Sequence, residues 1–148
     1  MLQSRPRFII KSMNKIVVIA HDKHKLDLCK FLNQRSSWFY GREIIATGRT
    51  AEFLENTNCV IPVVHLKKGK DGGYKEITKK IEAGEISLVF FFRDPSIVQS
   101  YHQDITELLN TCDKKNIPIS TNKAAAELLI VGKIRMEAAK DAYQRVNN

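Results

Sequence analysis

Residues 63–77, VVHLKKGKDGGYKEI, pass from an apolar strand through a basic, glycine-containing turn into the start of a helix. The same unit recurs on both sides of it. KIVVIA (15–20) is a β-branched run with the character of a strand buried on both faces, and residues 23–34 then carry Leu28, Phe31 and Leu32 at helical spacing. REIIATG (42–48) predicts a second strand, with a short helix from Thr50 to about Glu55. VIPVVHL (60–66) predicts a third, placed at a sheet edge by Pro62, and its helix spans 74–83 and stops near Gly84. SLVFFF (87–92) is the most apolar run and belongs near the middle of a sheet. Ile105, Leu108, Leu109 and Cys112 mark one face of the next helix. IPIST (117–121) is a fifth strand, followed by helices over 123–131 and about 134–146 with a break at Gly132. Five strands alternating with helices predict a single-domain α/β fold, a parallel sheet covered on both faces.

The bulk properties fit one soluble domain. The 148 residues are enough for one core, and 43% apolar with 27% charged residues is a globular balance. No apolar run is long enough for a membrane span. Residues 1–13 read as a basic N-terminal extension, too weakly apolar for a secretory signal, ahead of a domain over 14–148. Cys29, Cys59 and Cys112 stand far apart without metal-ligand spacing, so they read as free thiols of a reducing cytoplasm. The net charge of +8 points to an anionic partner. Nucleic acid is disfavoured, because the basic residues are spread along the chain and lack interleaved aromatics. A small phosphorylated ligand uses the same field over a shorter range. Charge alone does not separate the two.

The loops after the five strands read HDKHK, TGRT, KKGKDGG, RDP and TNK. Each lies at a strand's carboxyl end, where open α/β sheets bind ligands. Lysine, arginine, threonine and exposed glycine amides recur there, the groups that hold phosphate. As bland alternatives, Lys67, Lys68 and Lys70 form a solvated turn, and Asp94 before Pro95 is a turn former.

VIAHDKHK (18–25) resembles the first-strand signature of the methylglyoxal synthases, an A-H-D segment with a lysine three residues after the aspartate. ATGRT (46–50) resembles their A-T-G-T-T, and FFFRDP (90–95) their F-F-x-D-P. NIPISTNKAAAELLI (116–130) resembles their N-I-P-x-A-T-N segment and its helix. The likeness runs in order over roughly residues 15–130. It implies a five-stranded parallel sheet flanked by helices, a homohexamer, and no metal or organic cofactor. The implied reaction is a cytoplasmic lyase step in which dihydroxyacetone phosphate loses a proton to a carboxylate. The resulting enediol(ate) then breaks down to methylglyoxal and inorganic phosphate. The same fold serves as a phosphate-ligand regulatory domain in carbamoyl-phosphate synthetases and within a purine-biosynthesis enzyme.

Carried over by position, the resemblance assigns phosphate binding to Lys25, Thr47, Thr50 and Gly69. Arg49 replaces a third threonine and Lys68 a serine. His21, Asp22, Asp94 and Asp104 match its histidine and aspartates. The catalytic side departs. The third-loop aspartate taken as the general base falls on Tyr74. The histidine that polarises the carbonyl falls on Tyr101, with His102 one residue late. An active lyase therefore needs Asp71, Asp22 or Asp104 as base, with His21 or His102 as its electrophile. The alternative is a binding module that kept the phosphate cradle and lost the base. Asp71 inside the pocket favours the first, and Tyr74 filling that space favours the second. Arg145 is the C-terminal arginine available to reach a neighbouring subunit's phosphate site.

Overall fold

The structure is a computed structural model and describes residues 14–98 and 101–147. The N-terminal extension over 1–13 lies outside the described residues. The strands are β1 (Lys15–Ala20), β2 (Ile44–Ala46), β3 (Val64–His65), β4 (Ile86–Phe92) and β5 (Ile119–Ser120). They form one parallel sheet in the order β3-β2-β1-β4-β5. The helices are α1 (Lys25–Gln34), α2 (Ser36–Phe39), α3 (Gly48–Glu55), α4 (Gly73–Glu82), α5 (His102–Lys114) and α6 (Lys123–Asn147).

Strand alternation sends neighbouring side chains to opposite faces. Ile16, Val18, Phe90 and Phe92 pack on one side with Leu28 and Phe31 of α1, Leu54 of α3 and Ala126 and Ile130 of α6. Val17, Ile19, Val89 and Phe91 pack on the other with Tyr74 and Ile77 of α4 and Ile105 and Leu108 of α5. The result is the expected three-layer α/β arrangement. The chain adds strands in one direction from β1 to β3, then crosses to β4 and continues in the other direction. That reversal between β1 and β4 is a topological switch point, where the strand ends open a crevice.

Three local readings differ from the structure. The third strand shrinks to Val64–His65 at the edge, because Pro62 cannot donate to the ladder and the segment before it stays irregular. The short helix α2 was not anticipated. Most instructive is α6, which runs through Gly132 unbroken. A glycine in an exposed helix interior costs only about 1 kcal/mol against alanine, and it keeps its N–H. The neighbouring Leu, Ala, Lys, Arg, Met and Glu residues offset that cost. A distant clamp also holds the helix. Glu137 accepts from Trp38 Nε1 at 2.8 Å and from Arg42 Nη2 at 2.9 Å, while Arg42 lies 3.8 Å over the Trp38 ring. By contrast, the predicted stop of α4 holds. Gly84 takes φ +77°, its N–H bonds Ile81 O at 3.1 Å, and Glu85 N–H bonds Lys80 O at 3.0 Å. These two bonds form a Schellman ending.

Candidate active site

A cavity of about 270 Å³ opens at the carboxyl ends of the strands. Its wall takes Ala20, His21, Asp22 and Lys25 from the β1–α1 segment, Thr47, Arg49 and Thr50 from the start of α3, and Gly69, Lys70 and Tyr74 from the loop into α4. Ile97 and Tyr101 close it from the β4–α5 side. Four segments distant in sequence thus converge where the switch point places them.

Lys25 is nearly buried, its side chain 8% exposed, and its ammonium is paired with Asp22. The second Asp22 oxygen faces Arg49 Nη2 at 3.3 Å. These contacts, the Lys25 hydrogen bond foremost, hold the Asp22 carboxyl below the usual carboxylate range. Thr50 Oγ1 accepts from Ala20 N–H at 3.2 Å and lies 3.3 Å from Ala20 O, and Thr47 Oγ1 lies 3.3 Å from Thr50 Oγ1. This hydroxyl pair ties the mouth of β1 to the first turn of α3. There helix geometry leaves backbone amides without intrahelical acceptors.

His21 is buried and fixed in one tautomer. Asp94 N–H donates to its Nδ1 at 2.8 Å, so the neutral ring carries its proton on Nε2. Nε2 is itself buried and has no partner among the described residues. A donor left in that state costs about 1–3 kcal/mol until an acceptor arrives. Burial first, then the Arg93 charge, pushes the His21 pKa below the ordinary 6.5. The unfolded chain therefore takes up this proton before the native protein does. Stability is full above about pH 6.5 and falls as the pH drops below it. His21→Gln is expected to flatten that fall between about pH 7 and about pH 5, measured by urea unfolding at each pH.

The structure separates the remaining aspartates from the cavity. Asp71 is exposed on the short 3₁₀ turn Gly69–Asp71 and does not line the wall. Its expected place is filled by Tyr74, which is 4% exposed and stacked on Phe91 at 5.9 Å and on Tyr101 at 5.5 Å. Gly69 is needed for this, because a Cβ there would run into the Tyr74 ring. Burial pushes the Tyr74 pKa upward, so the phenol stays protonated. Asp94 spends its carboxylate on Ser96, accepting from the amide at 3.0 Å and the hydroxyl at 2.6 Å. Asp104 and His102 stand in the first turn of α5, outside the wall. Lys68 turns away toward Glu52, 3.7 Å distant, and Arg145 is exposed near the end of α6. Among the described residues, Asp22 is therefore the one carboxylate in the wall. Lys70 and Ile97 also line the wall. Lys70 had a signal, its place beside Gly69, whereas Ile97 sits in a loop with no periodicity to read.

Fold and rim define an α/β protein with a cationic, donor-rich crevice at a sheet's switch point. The family model for the MGS-like domain matches residues 26–121. A methylglyoxal synthase of Carboxydothermus hydrogenoformans is 43% identical over 119 residues, covering 80% of this chain and 97% of the relative. That of Borrelia garinii subsp. bavariensis is 37% identical over 118 residues, covering 80% and 93%. The crystal structure of methylglyoxal synthase from Elizabethkingia anophelis superposes with a TM-score of 0.69 at 27% identity, covering 78% of this chain and 75% of that one. This chain belongs to the methylglyoxal synthase family.

Proposed function

We propose that the cavity binds dihydroxyacetone phosphate and eliminates its phosphate to form methylglyoxal, with Asp22 as the general base. The carrying observation is the meeting, on the wall of one small cavity, of the Lys25 ammonium, the His21 ring and the Asp22 carboxylate. Lys25, Arg49, Thr47, Thr50 and the loop at Gly69 hold the phosphate, with Lys70 at the rim. Asp22 takes a proton from the hydroxymethyl carbon, and the C–H pair becomes the C=C bond of an enediolate. His21 Nε2–H bonds the carbonyl oxygen as it gains charge. The hydroxymethyl O–H proton passes to the former ketone oxygen, and the hydroxymethyl carbon becomes an aldehyde carbonyl. The C=C pair shifts toward the phosphate-bearing carbon, and the C–O bond to phosphate breaks with its electron pair. The enol left behind takes a proton at its terminal carbon to give methylglyoxal. No metal or organic cofactor enters these steps.

One observation favours a second reading, a binding module without turnover. Tyr74 and Tyr101 fill the wall where relatives are expected to carry the base and the histidine, and a protonated phenol is a donor rather than a base. The two readings part in one assay, release of phosphate and methylglyoxal from dihydroxyacetone phosphate. The lyase gives turnover that Asp22→Asn lowers by about 10²–10⁴-fold. Absence of methylglyoxal, with triose phosphate still bound by the wild type, refutes the lyase in favour of the module.

We further place the protein in the cytoplasm as a homo-oligomer, the hexamer of the family resemblance. Free cysteines are in keeping with the first, and the exposed Leu128, Met136, Tyr143 and Val146 along α6 with the second. Among the described residues no helix is long and apolar enough to cross a membrane.

A further inference from the structure

We infer that Asp22 is the site's resident anion, a carboxylate that occupies the phosphate cradle in the empty protein and is displaced when a phosphate enters. The inference rests on the phosphate-binding role proposed above and adds a competition within it.

Its basis is an asymmetry of burial. The Lys25 side chain is 8% exposed, whereas that of Asp22 is 67% exposed and that of Arg49 is 63% exposed. A buried ammonium requires a counter-charge, and the Lys25 side chain, 8% exposed, has little water beside it to supply one. Asp22 supplies it with one oxygen while the other reaches Arg49. Two cations from separate helices, α1 and α3, are thereby bridged by one anion at the cavity wall. The other described residues of that wall include no carboxylate. The same geometry suits a phosphate, which can bond both cations and also meet the amides of the α3 first turn. Asp22 already occupies both cations, so an entering phosphate competes with it for them. Asp22 is the mobile one, with solvent beside it to receive its side chain.

Two consequences follow. Phosphate affinity in the wild type is held down, because each binding event breaks two charge-assisted contacts and brings like charges together. The carboxylate that is released has lost both cations and gained a neighbouring dianion, which are conditions that raise its proton affinity. The group proposed as base is thus activated by the ligand it acts on, and held quiet without it.

The test is titration of inorganic phosphate into wild type, Asp22→Asn, Asp22→Ala and Lys25→Ala by calorimetry at low ionic strength. Both Asp22 variants are expected to bind phosphate about tenfold more tightly than wild type, and Lys25→Ala to lose binding. Thermal unfolding in the same phosphate series confirms folding, with a larger phosphate-induced rise for the Asp22 variants. Equal or weaker binding by both, with wild-type binding intact, overturns the displacement and leaves the phosphate site standing. No phosphate binding by wild type or either Asp22 variant overturns the phosphate site and the displacement together.

Discussion

Lys25→Ala is expected to weaken binding of dihydroxyacetone phosphate by about a hundredfold or more. Removing one partner from a buried, hydrogen-bonded charge pair costs about 2–5 kcal/mol, and each 1.4 kcal/mol is about tenfold in affinity. The fold should tolerate the change, because the partner left behind, Asp22, is 67% exposed and returns to water. Calorimetry gives the affinity, and a circular dichroism melt shows that the variant is folded. An affinity within about threefold of wild type would mean that the phosphate sits elsewhere, and the cavity would lose its claim to be the substrate site.

Phe91→Ala is expected to cost about 3–5 kcal/mol of stability, the range for emptying an aromatic from a packed core. Phe91 is fully buried and supports two groups of the cavity wall. Its ring meets His21 edge-on at 5.3 Å and Tyr74 in a stack at 5.9 Å. Against a total of about 5–15 kcal/mol for a domain, this loss leaves a marginal protein whose cavity has no back wall. Urea unfolding with an unchanged m-value measures it. A loss under about 1 kcal/mol would show that the surrounding layer collapses into the space.

Much of this was legible because it depends on local period. KIVVIA and SLVFFF carry enough β-branched and aromatic residues to declare buried strands, and the Leu28, Phe31, Leu32 spacing declares a helix face. The rim was legible for the same reason, since strand ends fix which loops share one side of the sheet. What escaped depends on distant contacts. Nothing in the ten residues around Gly132 shows that Glu137 is gripped by Trp38 and Arg42. The polar residues of TGRT (47–50) were assigned together, although Thr50 is committed to the β1 backbone and Arg49 to Asp22. Asp71 illustrates the limit most plainly. Its sequence neighbours Gly72 and Gly73 are residues that let a backbone turn sharply. Gly73 is instead pressed against the Lys67 carbonyl, and Gly72 takes φ +102° to start α4. The loop geometry is spent on admitting the Tyr74 ring.

The clamp on α6 also divides the molecule optically. The chain has a single tryptophan, and Trp38 lies against the α1–α3–α6 layer with Arg42 on its ring and Glu137 on its indole nitrogen. Tyr74 and Tyr101 belong to the opposite layer, at the cavity. Indole fluorescence therefore reports whether the long helix is docked, while a ligand-induced tyrosine difference spectrum reports on Tyr74 and Tyr101, since Tyr40 and Tyr143 are already exposed and stand outside the cavity wall. Occupancy and global integrity can be followed in one cuvette at two wavelengths, without attaching any label.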